Sequence, residues 1–235
     1  MISQFLQYFQ YEKNYSSHTV LSYHTDLLQF CDFLGLSPEE FSPAVITPGV
    51  IQQWVLFLME NSNSPRSISR KISTLKSFWR FLLVRRLTDE NPTLKLVLPK
   101  TKKPLPTFYR EQEMDNALSE NSRTGGFEAV RNRMIVELFY QTGLRVSELV
   151  SLRDSSIDFA SGQLRVIGKR NKERIIPLGE SVCAELKSYQ EVRNKETELP
   201  SDALFVRKNG MPMYSKAIYN IVHQKMSEVS TLHKQ

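Results

Sequence analysis

Three prolines within eight residues, PKTKKPLP at positions 99 to 106, rule out a continuous helix there and divide the chain into two stretches that must each find their own core. The lysines between the prolines keep the break solvated. Residues 99–108 are therefore expected as a linker between a domain at 1–98 and a second at 109–235. With 235 residues, 40% of them hydrophobic, each part is long enough to bury a core.

The first part reads as four helices. Ile2, Phe5, Leu6 and Phe9 mark a short one, and Val20, Tyr23, Leu27, Phe30 and Leu34 recur at helical spacing between the Ser16/Ser17 cap and Gly35. A third opens at Thr47 with Pro48 in its first turn, and a fourth at Ser64 with Pro65 as its first helical residue. Beyond the prolines the pattern changes to helix with a little sheet. Val130, Met134, Ile135, Leu138 and Phe139 give an amphipathic helix that ends at Gly143, and another follows over residues 146 to 152. RVIGKRNKERIIPLG, residues 165 to 179, predicts two short strands around a polar turn. Helices are expected at 180 to 193 and 215 to 228, with a short strand at 204 to 206 before the Asn209-Gly210 turn. The fold class is mainly α, followed by α+β with a small antiparallel hairpin.

Charge is concentrated. Residues 61 to 88 hold seven basic side chains (Arg66, Arg70, Lys71, Lys76, Arg80, Arg85, Arg86) and no acidic one, within a chain of net charge +6. At about 100° per residue, Arg70, Ser73, Ser77 and Arg80 lie within roughly 40° of Arg66, while Ile68, Leu75, Trp79 and Leu82 fall on the opposite side. A surface helix normally mixes charge signs, so a one-signed Arg/Ser face suits phosphate oxygens and points to nucleic acid. Cys31 and Cys183 lack the spacing of a disulfide framework or a zinc site. No targeting segment and no apolar run of membrane-spanning length is present. The expectation is a soluble cytoplasmic protein with no membrane partner and no metal.

The most specific strings are VRNRMIVELFYQ at 130 to 141, TGLRVSEL at 142 to 149, and the hairpin sequence RVIGKRNKERIIPLG. Together they resemble the catalytic domain of the tyrosine site-specific recombinases, of the phage integrase family, in particular the Xer-like enzymes. Thr19, Tyr23, Asp26 and Leu27 match the Thr-x-x-x-Tyr-x-x-Asp-Leu pattern of that family's first DNA-binding domain, a four-helix SAM-like bundle. The resemblance runs from residue 2 to about residue 230 and implies site-specific recombination of double-stranded DNA through a 3′-phosphotyrosyl intermediate. It implies no metal or nucleotide cofactor, and further recombinase subunits as partners, a tetramer on DNA.

By the same resemblance Arg145 is the first of the family's two phosphate-binding arginines, and Glu148, three residues on, is placed to pair with it and hold it in position. Lys169, directly after Gly168, matches the lysine that acts as general acid, with Lys172 a nearby competitor and DNA contact. Thr19, Tyr23, Arg66, Arg70, Lys71 and Arg80 complete the expected DNA-binding set. Arg170 stands where many relatives have glycine, so a positive φ at that point would strain the turn. The family's His-x-x-Arg-His helix, its later His or Trp, and its tyrosine nucleophile find no match in these residues. The 109–235 domain is thus expected to be partial, and the chain on its own to bind DNA without cleaving it. Other readings are a mobile-element integrase or invertase, a non-catalytic DNA-binding protein, and a helical adaptor; the last does not account for TGLRVSEL beside the lysine hairpin.

Overall fold

A computed structural model describes residues 1–94, 96–99, 109–118, 126–168 and 171–229. The chain divides into two compact units, Met1–Leu105 and Pro106–Gln235.

In the first unit α1 (Ile2–Gln7) runs on into a π-helical turn (Tyr8–Glu12) and is followed by α2 (Ser17–Leu34), a 3₁₀ turn (Pro43–Val45), α3 (Pro48–Glu60) and α4 (Pro65–Val84). The expected caps are in place. Ser16, Thr47 and Ser64 accept the backbone N–H of Thr19, Val50 and Ser67, satisfying a donor that each helix start would otherwise leave open. The core is aromatic: Phe5, Phe30, Phe78, Trp54 and Trp79 are each fully buried, and Phe30 meets Trp54 at 4.9 Å between ring centroids. Burying each such side chain stabilises the unit by about 3 kcal/mol.

The second unit contains α5 (Glu111–Ala117), α6 (Phe127–Thr142), α7 (Val146–Val150), β1 (Ile157–Asp158), β2 (Gln163–Ile167), β3 (Glu173–Pro177), α8 (Glu180–Glu196) and α9 (Ser215–Val229). The strands form one antiparallel sheet in the order β1-β2-β3. Leu164 and Val166 face a core shared with Met134, Ile135 and Leu138 of α6, Leu149 of α7, and Leu186 and Tyr189 of α8. Neither α5 nor β1 was anticipated from the sequence.

The strand expected at 204 to 206 is not formed; that stretch makes only isolated bridges, Arg153 with Ala203 and Val206 with Pro212. The Phe205 carbonyl accepts the Met213 N–H, and those of Ala203, Leu204 and Val206 are taken by side chains. Arg193 donates to the oxygens of Ala203 and Leu204, the Tyr189 hydroxyl to that of Leu204, and Arg131 to that of Val206. Two nearly buried arginines thus do the work of a neighbouring strand, since carbonyls enclosed in a core need donors of some kind. Among the described residues no helix is long and apolar enough to cross a membrane.

Candidate active site

Arg145 owes its position to a glycine. Gly143 ends α6 with φ of 61°, a left-handed conformation that turns the chain within two residues into the start of α7. Arg145 is the N-cap of α7, with extended backbone angles and a side chain 68% exposed. Its backbone N–H donates to Glu148 Oε2 at 2.8 Å, and its Nη1 donates to Glu148 Oε1 at 2.9 Å. One carboxylate therefore fixes both the main chain and the guanidinium of Arg145, while the rest of that guanidinium faces solvent.

Glu148 is buried, and its second partner was missed in the sequence. Arg174 of β3 donates Nη1 to Oε1 at 2.8 Å and Nη2 to Oε2 at 2.9 Å, a forked pair. These bonds from Arg174, joined by those from Arg145, hold the Glu148 carboxyl at about 2 against the opposing effect of its burial. The signal for Arg174 lay in strand alternation. It stands opposite Val166 on the same side of β3 as Ile176, the side turned toward the core, where a cation requires an acid. The closeness of packing shows at Gly168, where an added Cβ would lie 3.1 Å from Glu148 Oε1 and 3.3 Å from Arg174 Nη1. Glu148 thus joins the start of α7 to the base of the β2–β3 hairpin.

Lys169 and Arg170 lie outside the described residues. On either side of them the Gly168 N–H donates to the Lys172 carbonyl at 2.8 Å, closing the turn. A positive φ in the turn belongs to Asn171, at 56°, and asparagine is among the few L-residues that accept it readily. Lys172 is exposed.

In the first unit the basic face is less uniform than the sequence suggests. Arg66 and Arg80 are exposed and form no ion pair among the described residues. Arg70 is gripped by Asp26 of α2, a fully buried carboxylate, through bonds of 2.5 and 2.7 Å, and also donates to the Ser22 hydroxyl. The acid that the helix itself lacks is supplied from 44 positions away. Lys71 departs from the exposed basic face expected: its side chain is only 7% exposed, and its Nζ bonds to Gln29 and lies 3.6 Å from Asp26. The hydroxyls of Ser73 and Ser77 donate to carbonyls of their own helix rather than outward. Thr19 shares the α2 cap with Ser16, and Tyr23 stacks on Phe5 at 5.6 Å, so both also have local structural work.

The chain thus carries a helical bundle followed by an α+β body in which an arginine is fixed at a helix start beside the base of a hairpin. The phage integrase family model matches residues 108–233, and the N-terminal SAM-like domain of phage integrases matches residues 2–86. The chain belongs to this family, the tyrosine recombinases.

It is 38% identical over 240 residues to the tyrosine recombinase XerC of Oceanobacillus iheyensis, an alignment that covers 99% of this chain and 77% of the relative. It is 34% identical to XerC and 33% identical to XerD of Halalkalibacterium halodurans, in each case over 97% of this chain and 77% of the relative. Among solved structures, a lambda integrase tetramer bound to a Holliday junction matches with a TM-score of 0.73 at 16% identity, over 97% of this chain and 62% of that one. The XerH recombinase bound to its difH substrate matches with a TM-score of 0.68 at 18% identity, over 97% and 68%. At such identities these two likenesses concern the fold.

Proposed function

We propose that this chain is an Xer-like recombinase polypeptide of the cytoplasm that grips double-stranded DNA with two domains, residues 1–98 and 109–235 joined by residues 99–108, and brings Arg145 and Lys169 to one scissile phosphate. The observation that carries this reading is the grip of Glu148 on Arg145 beside the hairpin that leads into Lys169. Arg145, held on one side by Glu148, offers its remaining N–H groups to two non-bridging oxygens, a forked contact that lysine cannot copy. In the recombination step a tyrosine hydroxyl gives up its proton to water as its oxygen bonds to phosphorus, the bond from phosphorus to the 5′ oxygen breaks, and Lys169 gives that leaving oxygen a proton. As the phosphorane gathers negative charge, a guanidinium fixed beforehand stabilises it without reorganising at the moment of reaction. The step needs no metal and no cofactor. No tyrosine of these 235 residues is assigned as the nucleophile; Tyr214 and Tyr219 are exposed but engage Arg207 and Lys216 through their rings.

Lys172 and the first unit's Arg66 and Arg80 supply further phosphate contacts, and other recombinase subunits complete the assembly. The test is binding to short duplexes selected from a randomised pool. The reading expects a selected consensus and an affinity that falls steeply with salt, with Arg145→Lys weaker than the parent chain. No binding to any duplex would refute it.

A further inference from the structure

Arg70 differs from its neighbours on α4 in a way that separates two kinds of DNA contact. A cation that only steers the chain along the DNA backbone, away from the reacting phosphate, acts through its charge and needs no preset direction. Arg66 and Arg80 are of that kind. Arg70 is paired with the Asp26 carboxylate, which also lies 3.6 Å from the Nζ of the largely buried Lys71. What Arg70 keeps is direction.

Asp26 occupies the end of the guanidinium through Nη1 and Nη2, and Ser22 takes the other Nη1 hydrogen. Thr74 donates to the same carboxylate at 2.7 Å and fixes it in turn. The edge formed by Nε–H and the outer Nη2–H makes no hydrogen bond among the described residues, and the side chain is 50% exposed. Two parallel donors, preset and electrically balanced, match two adjacent neutral acceptors better than they match a charged oxygen. In duplex DNA the O6 and N7 of guanine in the major groove are such a pair.

We propose that Arg70 reads a guanine edge and that Asp26 is its positioning residue. This rests on the DNA-binding reading above and assigns one contact within it to sequence rather than to backbone. Thr74 and Ser22 hold the pair, and the preset geometry makes recognition depend on the fork itself.

The test is sequence selection by the full 235-residue chain from a pool of randomised duplexes, with the salt dependence of binding measured alongside. The parent chain should enrich a G·C pair at one position by about ten-fold or more over the other pairs. Arg70→Lys, which keeps the charge and loses the fork, should abolish that preference, leave the other positions as they were, and leave the slope against salt unchanged. Asp26→Asn should abolish the same preference while Arg70 is still present, an effect that loss of stability alone would not confine to one position. Arg70→Lys does not depend on the folding of the Asp26 variant. The inference is overturned if Arg70→Lys retains the full pattern of enrichment, or if Arg70→Ala lowers the salt slope by about one and changes no position. A parent chain that binds no duplex at all would overturn the DNA-binding reading, and this one with it.

Discussion

Arg174 holds Glu148 through a forked pair of hydrogen bonds, and Glu148 in turn holds both the backbone and the guanidinium of Arg145. The residue that positions Arg145, for which phosphate binding is proposed, is thus itself positioned from a strand 26 residues further along.

Removing Arg174 leaves a buried carboxylate with half its donors gone. Arg174→Ala should destabilise the second unit, seen as a lower midpoint in urea. It should weaken DNA binding in the same direction as Arg145→Ala, and the double variant should bind little worse than Arg145→Ala alone, since the two side chains act through one carboxylate.

The acid limb of the stability curve should carry the signature of Glu148. Its carboxyl sits at about 2, below the value of about 4.3 for a free glutamate. The stabilisation is therefore complete above the free value and is lost as pH falls from there toward 2. Glu148→Gln should be less stable than the parent chain near neutral pH by about 2 kcal/mol. Its stability should change less between pH 5 and pH 2, as read by denaturant titrations across that range.

Gly168→Ala probes the same junction sterically. The new methyl would press on Glu148 Oε1 and Arg174 Nη1, at 3.1 and 3.3 Å. A loss of about 1 kcal/mol is expected, with a larger loss for Gly168→Val. Equal stability of all three chains would show that the hairpin base is looser than described.

Much of this fold is local in origin and was legible in the sequence. Ser16, Thr47 and Ser64 cap helices whose starts they mark, and Gly35 and Gly143 end helices in the left-handed conformation that glycine accepts at no cost. What was not legible depends on partners far apart in the chain. Seven-residue α5 offers little periodicity, and it packs against α9 through Met114, Ala117 and Met226. Asp26, Arg70 and Glu148 could be singled out as letters, but the pairing of Asp26 with Arg70, or of Glu148 with Arg174, exists only once the fold brings them together. Lys71 shows the hazard of counting charge along a helix without knowing what lies beneath it.

That distinction is measurable. Arg66→Ala and Arg80→Ala should each lower the slope of log affinity against log salt by about 0.9, roughly additively, with little effect on stability. Lys71→Ala should leave that slope unchanged and instead destabilise the first unit by about 3 kcal/mol, because Asp26 and Gln29 lose a buried partner.

The convergence of Arg145 and Lys169 on one phosphate is tested most directly by neutralising phosphates one at a time. In a duplex selected by this chain, each phosphate would be replaced in turn by an uncharged methylphosphonate, and the loss of affinity compared between the parent chain, Arg145→Ala and Lys169→Ala. The expected result is a single phosphate at which neutralisation weakens the parent chain but has little further effect on either variant. Two different phosphates, one for each residue, would contradict a shared active site.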